Sequence, residues 1–279
     1  MQSEFKEVEI TDTLILDLFK NEVLRNAFEA GGWIGGGFAR LVGKQMLIPH
    51  KFDFQESNRE KLIGHYFETR GDIDFFFRNE KDYMLAQTVR AYHKSAFAHN
   101  VWLNNNNGVL SIKVQLVNKF FYDDIKTTFD SFDFLNSCYA IKKKKHKYFL
   151  VFDSSALHAD EQKELVIKHS NSPYTLQRVL KYLNKRGLKT ISKSSNDILT
   201  EILIRNAAGA FDSKYGVSFK PFIEKTVKSI FALNIIKPEN AIYFLGRFKK
   251  VHTQKYGPTY VTDWASSVIE ESVNAQYTH

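Results

Sequence analysis

Gly71-Asp72-Ile73-Asp74-Phe75-Phe76-Phe77 places two carboxylates two residues apart inside an apolar run. Side chains alternate along a strand, so both carboxylates fall on one face and Ile73 and Phe75 on the other. A buried charge is costly unless it is paired or ligates a metal. This strand end therefore either faces water or holds a divalent cation, and the flanking sequence has to decide between them.

Upstream, Leu14, Ile15, Leu18, Phe19, Val23, Leu24 and Phe28 recur at helical spacing behind Asp12, which predicts one capped helix over 12–29. Residues 31–37 then hold five glycines around Trp33-Ile34. The expected arrangement is a short strand, a tight turn at Gly35-Gly36-Gly37 and a helix from Phe38. Such a glycine turn is either a plain tight turn or a phosphate cradle at a helix N-terminus. It matches neither the dinucleotide fingerprint nor a P-loop. Residues 44–70 read as polar and irregular, and 81–95 as a helix with Asp82 as its cap.

Downstream, Asn-Gly at 107–108 sits between apolar runs and predicts a hairpin. Its second strand is marked by Leu110, Ile112, Val114 and Leu116 alternating with polar residues. A short helix is expected over 121–129, then a strand through Phe132-Asp133-Phe134 towards Cys138, with Asp130 as a rival to Asp133 for a functional carboxylate. Lys142–Lys145 reads either as a solvated hairpin tip or as a phosphate contact, and Tyr148–Phe152 as an apolar strand. From residue 157 the pattern turns helical, with helices predicted at 157–168, 174–186, 195–211, 219–232, 238–247 and 262–274. Two domains follow from this change, 1–156 and 157–279.

Composition narrows the partners. The chain has 279 residues, 43% hydrophobic and 14% aromatic, which indicates a packed protein rather than a disordered one. A net charge of +8 favours a polyanionic partner such as a nucleotide triphosphate or nucleic acid. Cys138 is the single cysteine, so neither an intrachain disulfide nor a cysteine zinc site is available, in keeping with a reducing cytoplasm. The N-terminal residues lack a secretory pattern, and no apolar run is long enough for a membrane span.

Gly36-Gly37-Phe38-Ala39-Arg40 followed by Asp72-Ile73-Asp74-Phe75-Phe76 resembles the signature of the DNA polymerase β-like nucleotidyltransferases. Within that superfamily it is most similar to the poly(A) polymerase and tRNA CCA-adding head domains, or viral proteins like them. The resemblance spans about residues 20–190 and implies an α+β fold: a head with a small mixed sheet and flanking helices, then a mostly helical C-terminal part. It further implies transfer of NMP from an NTP to a hydroxyl, RNA being the favoured acceptor, with two Mg2+ or Mn2+ ions. Two metal ions stabilise the attacking and leaving oxygens of such an in-line displacement. By resemblance, Asp72 and Asp74 bridge the metals and Asp133 is the third carboxylate. Gly36 and Gly37 hold the triphosphate through backbone amides, Arg40 either joins them as a phosphate ligand or pairs structurally with a carboxylate, and Arg178 with Lys181 meets the incoming nucleotide.

Three departures stand out. Thr175 occupies the position of an acidic base reader, the family's basic R-R-D-F-T segment is absent, and 34 residues separate Gly37 from Asp72, implying an insertion. These departures motivate an alternative, a catalytically silent member of the fold with a binding or structural role.

Overall fold

The computed structural model describes residues 4–51, 59–68, 71–87, 94–95, 98–105, 108–169, 175–195, 198–199 and 202. The chain divides into two compact units, residues 1–162 and 163–279. The helices predicted at 219–232, 238–247 and 262–274, and most of that at 195–211, lie outside the described residues.

The first unit opens with strand β1 (Phe5–Glu9), helices α1 (Thr13–Leu18) and α2 (Glu22–Glu29), strand β2 (Trp33–Gly35) and helix α3 (Gly37–Leu47). Helix α4 (Arg59–Glu68), strand β3 (Asp72–Phe76), helix α5 (Glu80–Ala86) and strands β4 (Lys94–Ser95), β5 (Ala98–Asn105) and β6 (Gly108–Leu116) follow. Helix α6 (Ile125–Asp130), strands β7 (Tyr139–Lys144) and β8 (Lys147–Asp153) and helix α7 (Ser154–Glu161) complete it. The fold is α+β, with one eight-stranded mixed sheet in the order β1-β8-β7-β2-β3-β6-β5-β4. Within this sheet β3 and β6 pair in parallel, and the other neighbours are antiparallel.

The register separates the two faces of the sheet. Val8, Leu150, Ile141, Ile34, Phe75 and Leu116 stand opposite one another in one row. Except for Val8 at the exposed edge, all of them are at most 2% exposed. Helices α2 and α3 cover this side: the Phe28 ring meets Phe75 edge-on at 4.9 Å, and Gly43 lies where a Cβ would be 2.8 Å from the Tyr139 ring. The neighbouring row, Glu7, Val151, Ala140, Gly35, Asp74 and Gln115, faces the other way.

Local chemistry explains where the structure departs from the periodicity. The predicted helix 12–29 is two helices, because Asn21 accepts a hydrogen bond from the Val23 amide and caps α2 afresh. Asp12 does cap the first, accepting from Ile15 N at 3.2 Å. Of the helix predicted over 81–95, α5 forms the first part, capped by Asn79 rather than Asp82, and Lys94–Ser95 is strand, while 88–93 lie outside the described residues. Residues 44–70 are not wholly irregular, since they hold the end of α3 and all of α4. Phe132-Asp133-Phe134 is a bend with one isolated bridge, followed by a 3-10 turn at Leu135–Ser137.

The second unit holds strand β9 (Glu164–Leu165), helix α8 (Thr175–Lys185) and strand β10 (Thr190–Ile191), with β9 and β10 parallel. Helix α8 lies within the predicted 174–186, and Gly187, at φ +73°, follows its end. Among the described residues no helix is long and apolar enough to cross a membrane.

Candidate active site

Strand β3 presents Asp72 and Asp74 half-buried on one face, while Ile73 and Phe75 on the other are fully buried. Asp74 stands opposite Gly35 on β2, and Gly36-Gly37 leads directly into α3. Gly36 takes φ +78°, a conformation that costs glycine nothing and a residue with a Cβ a good deal. Its amide donates to the Tyr139 carbonyl at 2.9 Å, and its carbonyl accepts the first helical bond, from Arg40 N. Strand pairing thus holds the glycine turn beside the carboxylate pair. The first amides of α3 have no intrahelical acceptor and carry the positive end of the helix dipole, an arrangement that suits a phosphate.

Two residues that the sequence did not single out complete the setting. Tyr66 of α4 donates its hydroxyl to the Asp72 carbonyl at 3.0 Å, and that oxygen would lie 2.8 Å from a Cβ at Gly37. Helix α4 therefore joins the glycine turn to the carboxylate strand. A Cβ at Gly71 would collide with the Tyr66 ring and its carbonyl oxygen. Gly71→Ala is accordingly expected to cost about 1–3 kcal/mol of stability through overpacking, measured by urea unfolding.

The second residue is Lys113. On β6 it stands opposite Asp72, with its ammonium 4.0 Å from Oδ2, while Gln115 stands opposite Asp74. Lys113 and Gln115 are the polar alternates between Ile112, Val114 and Leu116, so the alternation was legible. Their place beside the carboxylates depends on the parallel pairing of β3 with β6, which a single sequence does not reveal.

Asp133 lies 5% exposed in the bend after α6, beside Phe132, whose ring packs on Phe76 at 5.8 Å. Among the described residues no three His, Cys, Asp or Glu side chains are grouped to hold a metal. Asp130, the rival of Asp133, pairs with Lys126 on α6. Two carboxylates on one strand still offer the hard oxygen donors that magnesium prefers. A second ion would have to draw its remaining ligands from substrate phosphates and water.

Of the two roles expected for Arg40, the structure shows the pair with a carboxylate and corrects the phosphate contact. It is 4% exposed, and its guanidinium is committed to Asp160, with Nε donating to Oδ2 at 2.9 Å and Nη2 to Oδ1 at 2.8 Å. Asn136 Nδ2 donates to Oδ1 at 2.8 Å and the Tyr139 hydroxyl to Oδ2 at 3.0 Å. Burial and the adjacent Asp160 carboxylate push the Tyr139 hydroxyl well above its ordinary pKa, so it remains a donor. This cluster anchors α3 to α7 from within. Arg178 and Lys181 belong to the second unit, exposed and half-buried respectively on α8, where Thr175 is fully buried.

A family model described as "Gabija anti-defense 2 family protein" (Gad2) matches residues 6–163, more than half of the chain. The chain belongs to the Gabija anti-defense 2 family. The matched segment spans β1 through α7, so it contains the glycine turn and the Asp72–Asp74 strand of this Gad2-family protein. Among solved structures, a CCA-adding enzyme determined in complex with ATP superposes with a TM-score of 0.51 at 15% identity. The match covers 93% of this chain and 63% of that enzyme, so the chain spans less than two thirds of its length. At such identity the likeness is one of fold, and the fold is nucleotidyltransferase-like. A search of curated proteins gives no sequence match.

Proposed function

We propose that this protein is a metal-dependent nucleotidyltransferase acting in anti-defence against Gabija, as its family is described. The observation that carries this reading is the pairing of Gly35 with Asp74, which sets the glycine turn and the carboxylate strand side by side. The amides of Gly37 and the first turn of α3 would receive the triphosphate. Asp72 and Asp74 would hold magnesium or manganese, which when bound supplies charge neutralisation at the phosphates. The basic net charge of +8 supports RNA as the carrier of the acceptor hydroxyl. The test is incubation with each labelled NTP, magnesium and a panel of RNA and protein acceptors. Transfer is expected with at least one NTP, falling to background in Asp72→Ala/Asp74→Ala. Absence of transfer to every acceptor, or transfer that survives the double substitution, rules the reading out.

One observation favours a second reading, a catalytically silent member with a binding role. Lys113 places a positive charge beside Asp72, where an active site would want a metal ion. Calorimetric titration with manganese and NTP separates the two: a silent member shows no heat that depends on Asp72 and Asp74.

A further inference from the structure

The row that contains Asp74 continues across the sheet to a cavity of about 510 Å³. Val151 and Glu7 line that cavity and stand in register with Ala140, Gly35 and Asp74, so they share a face with the carboxylate pair. Asp74 and Val151 are three strand spacings apart, about 14 Å. Helix α6 packs on this face between them, its Phe129 ring 5.7 Å from Phe5, and Trp33 Nε1 donates to Thr128 Oγ1 at 3.2 Å. The volume is in the range of small-ligand sites, roughly 300–1,000 Å³.

The lining is basic. Lys6, Arg78, Lys126, Lys142 and Lys143 surround it against two carboxylates, Glu7 and Asp124. Both carboxylates are already engaged: Glu7 pairs with Lys142 at 2.6 Å, and Asp124 caps α6 by accepting from Thr127 N at 2.7 Å. The other lysines also have carboxylate partners, Lys143 with Glu29, Lys126 with Asp130 and Lys6 with Glu4. Arg78 differs. Its one hydrogen bond among the described residues runs from Nε to the Asp123 carbonyl at 3.3 Å, which leaves its terminal nitrogens for a ligand. A guanidinium fork matches phosphate oxygens two at a time. Beside it, Phe5 at 39% exposed, Ile125 and Val151 form an apolar wall of the kind that takes a base.

We propose that this cavity binds a nucleoside phosphate, the phosphate on Arg78 and the base against Phe5 and Ile125. Binding here needs neither a divalent cation nor the Asp72–Asp74 pair, so it stands or falls separately from nucleotidyl transfer. The ligand is either a free mononucleotide or the terminal nucleotide of an RNA, which share this chemistry.

The test uses the full chain carrying Asp72→Ala/Asp74→Ala, in EDTA. The probes are AMP, a 5′-phosphorylated RNA hexamer and the same hexamer without the phosphate. Binding of AMP or the phosphorylated hexamer is expected, at least fivefold weaker in Arg78→Ala, partly restored in Arg78→Lys and weakened also in Phe5→Ala. Arg78 and Phe5 are exposed, and thermal unfolding monitored alongside checks that each variant is folded. Lys144→Ala/Lys145→Ala, which removes two exposed charges outside the cavity, is expected to change binding less than twofold. AMP bound as tightly as the hexamer points to the free nucleotide, and a hexamer bound more tightly points to an RNA end. The proposal is overturned if neither phosphate probe binds, if the unphosphorylated hexamer binds equally well, or if Arg78→Ala weakens binding less than fivefold.

Discussion

Asp160→Ala is expected to lower the free energy of unfolding by about 3–5 kcal/mol, the range for breaking a buried ion pair by removing one partner. Asp160 is fully buried and takes hydrogen bonds from Arg40, Asn136 and Tyr139. The substitution leaves the Arg40 charge in the interior without its carboxylate and takes an acceptor from two further buried groups. Urea unfolding followed by circular dichroism measures the loss. The double variant Arg40→Met/Asp160→Leu removes both charges together and is expected to recover part of it, because well-packed apolar groups often replace a buried pair at little cost. A double variant no more stable than Asp160→Ala would show that the cluster does more than neutralise one charge.

Phe75→Ala is expected to cost a similar amount, about 3–5 kcal/mol, from lost apolar burial and the cavity left behind. Phe75 is fully buried and its ring contacts Phe28 of α2 at 4.9 Å. It is also the residue after Asp74, and its burial helps hold that carboxylate out on the opposite face. The variant is therefore expected to lose stability and, where transfer is measured, activity as well. Phe75→Leu keeps most of the volume and should retain both within about 1.5 kcal/mol.

Residues whose chemistry is local were readable in advance. Asp72 and Asp74 flank Ile73 at a spacing that only a strand makes meaningful, and the strand is there. Gly36 sat where a turn needed positive φ, and Asp12 where a helix needed a cap. What the sequence hid was set by partners far along the chain. Arg40 read equally as a phosphate ligand or as the partner of a carboxylate, and the choice was hidden because Asp160, its partner, is 120 residues away. Lys113 came beside Asp72 only through the parallel pairing of β3 with β6. Strand β1 was missed because Phe5–Glu9 has four exposed residues out of five and so no apolar alternation. Phe132-Asp133-Phe134 imitated a buried strand, since aromatic packing on Phe76 and Phe129 produces the same pattern in a bend. The glycine turn and the carboxylate strand were legible, whereas the residues that surround and tune them were not.

The edge position of β1 matters for how the protein is made. Phe5 pairs with Asp153, so the first strand has no partner until the ribosome has passed the second half of the matched segment. At synthesis rates of about 5–20 residues per second, that interval is roughly 7–30 s. During it β7 and β8 are still to come, while β2, β3 and β6 can already pair with one another once residue 116 has emerged. Completion of the sheet is therefore a late event in biosynthesis, because its edge joins the first strand to the eighth.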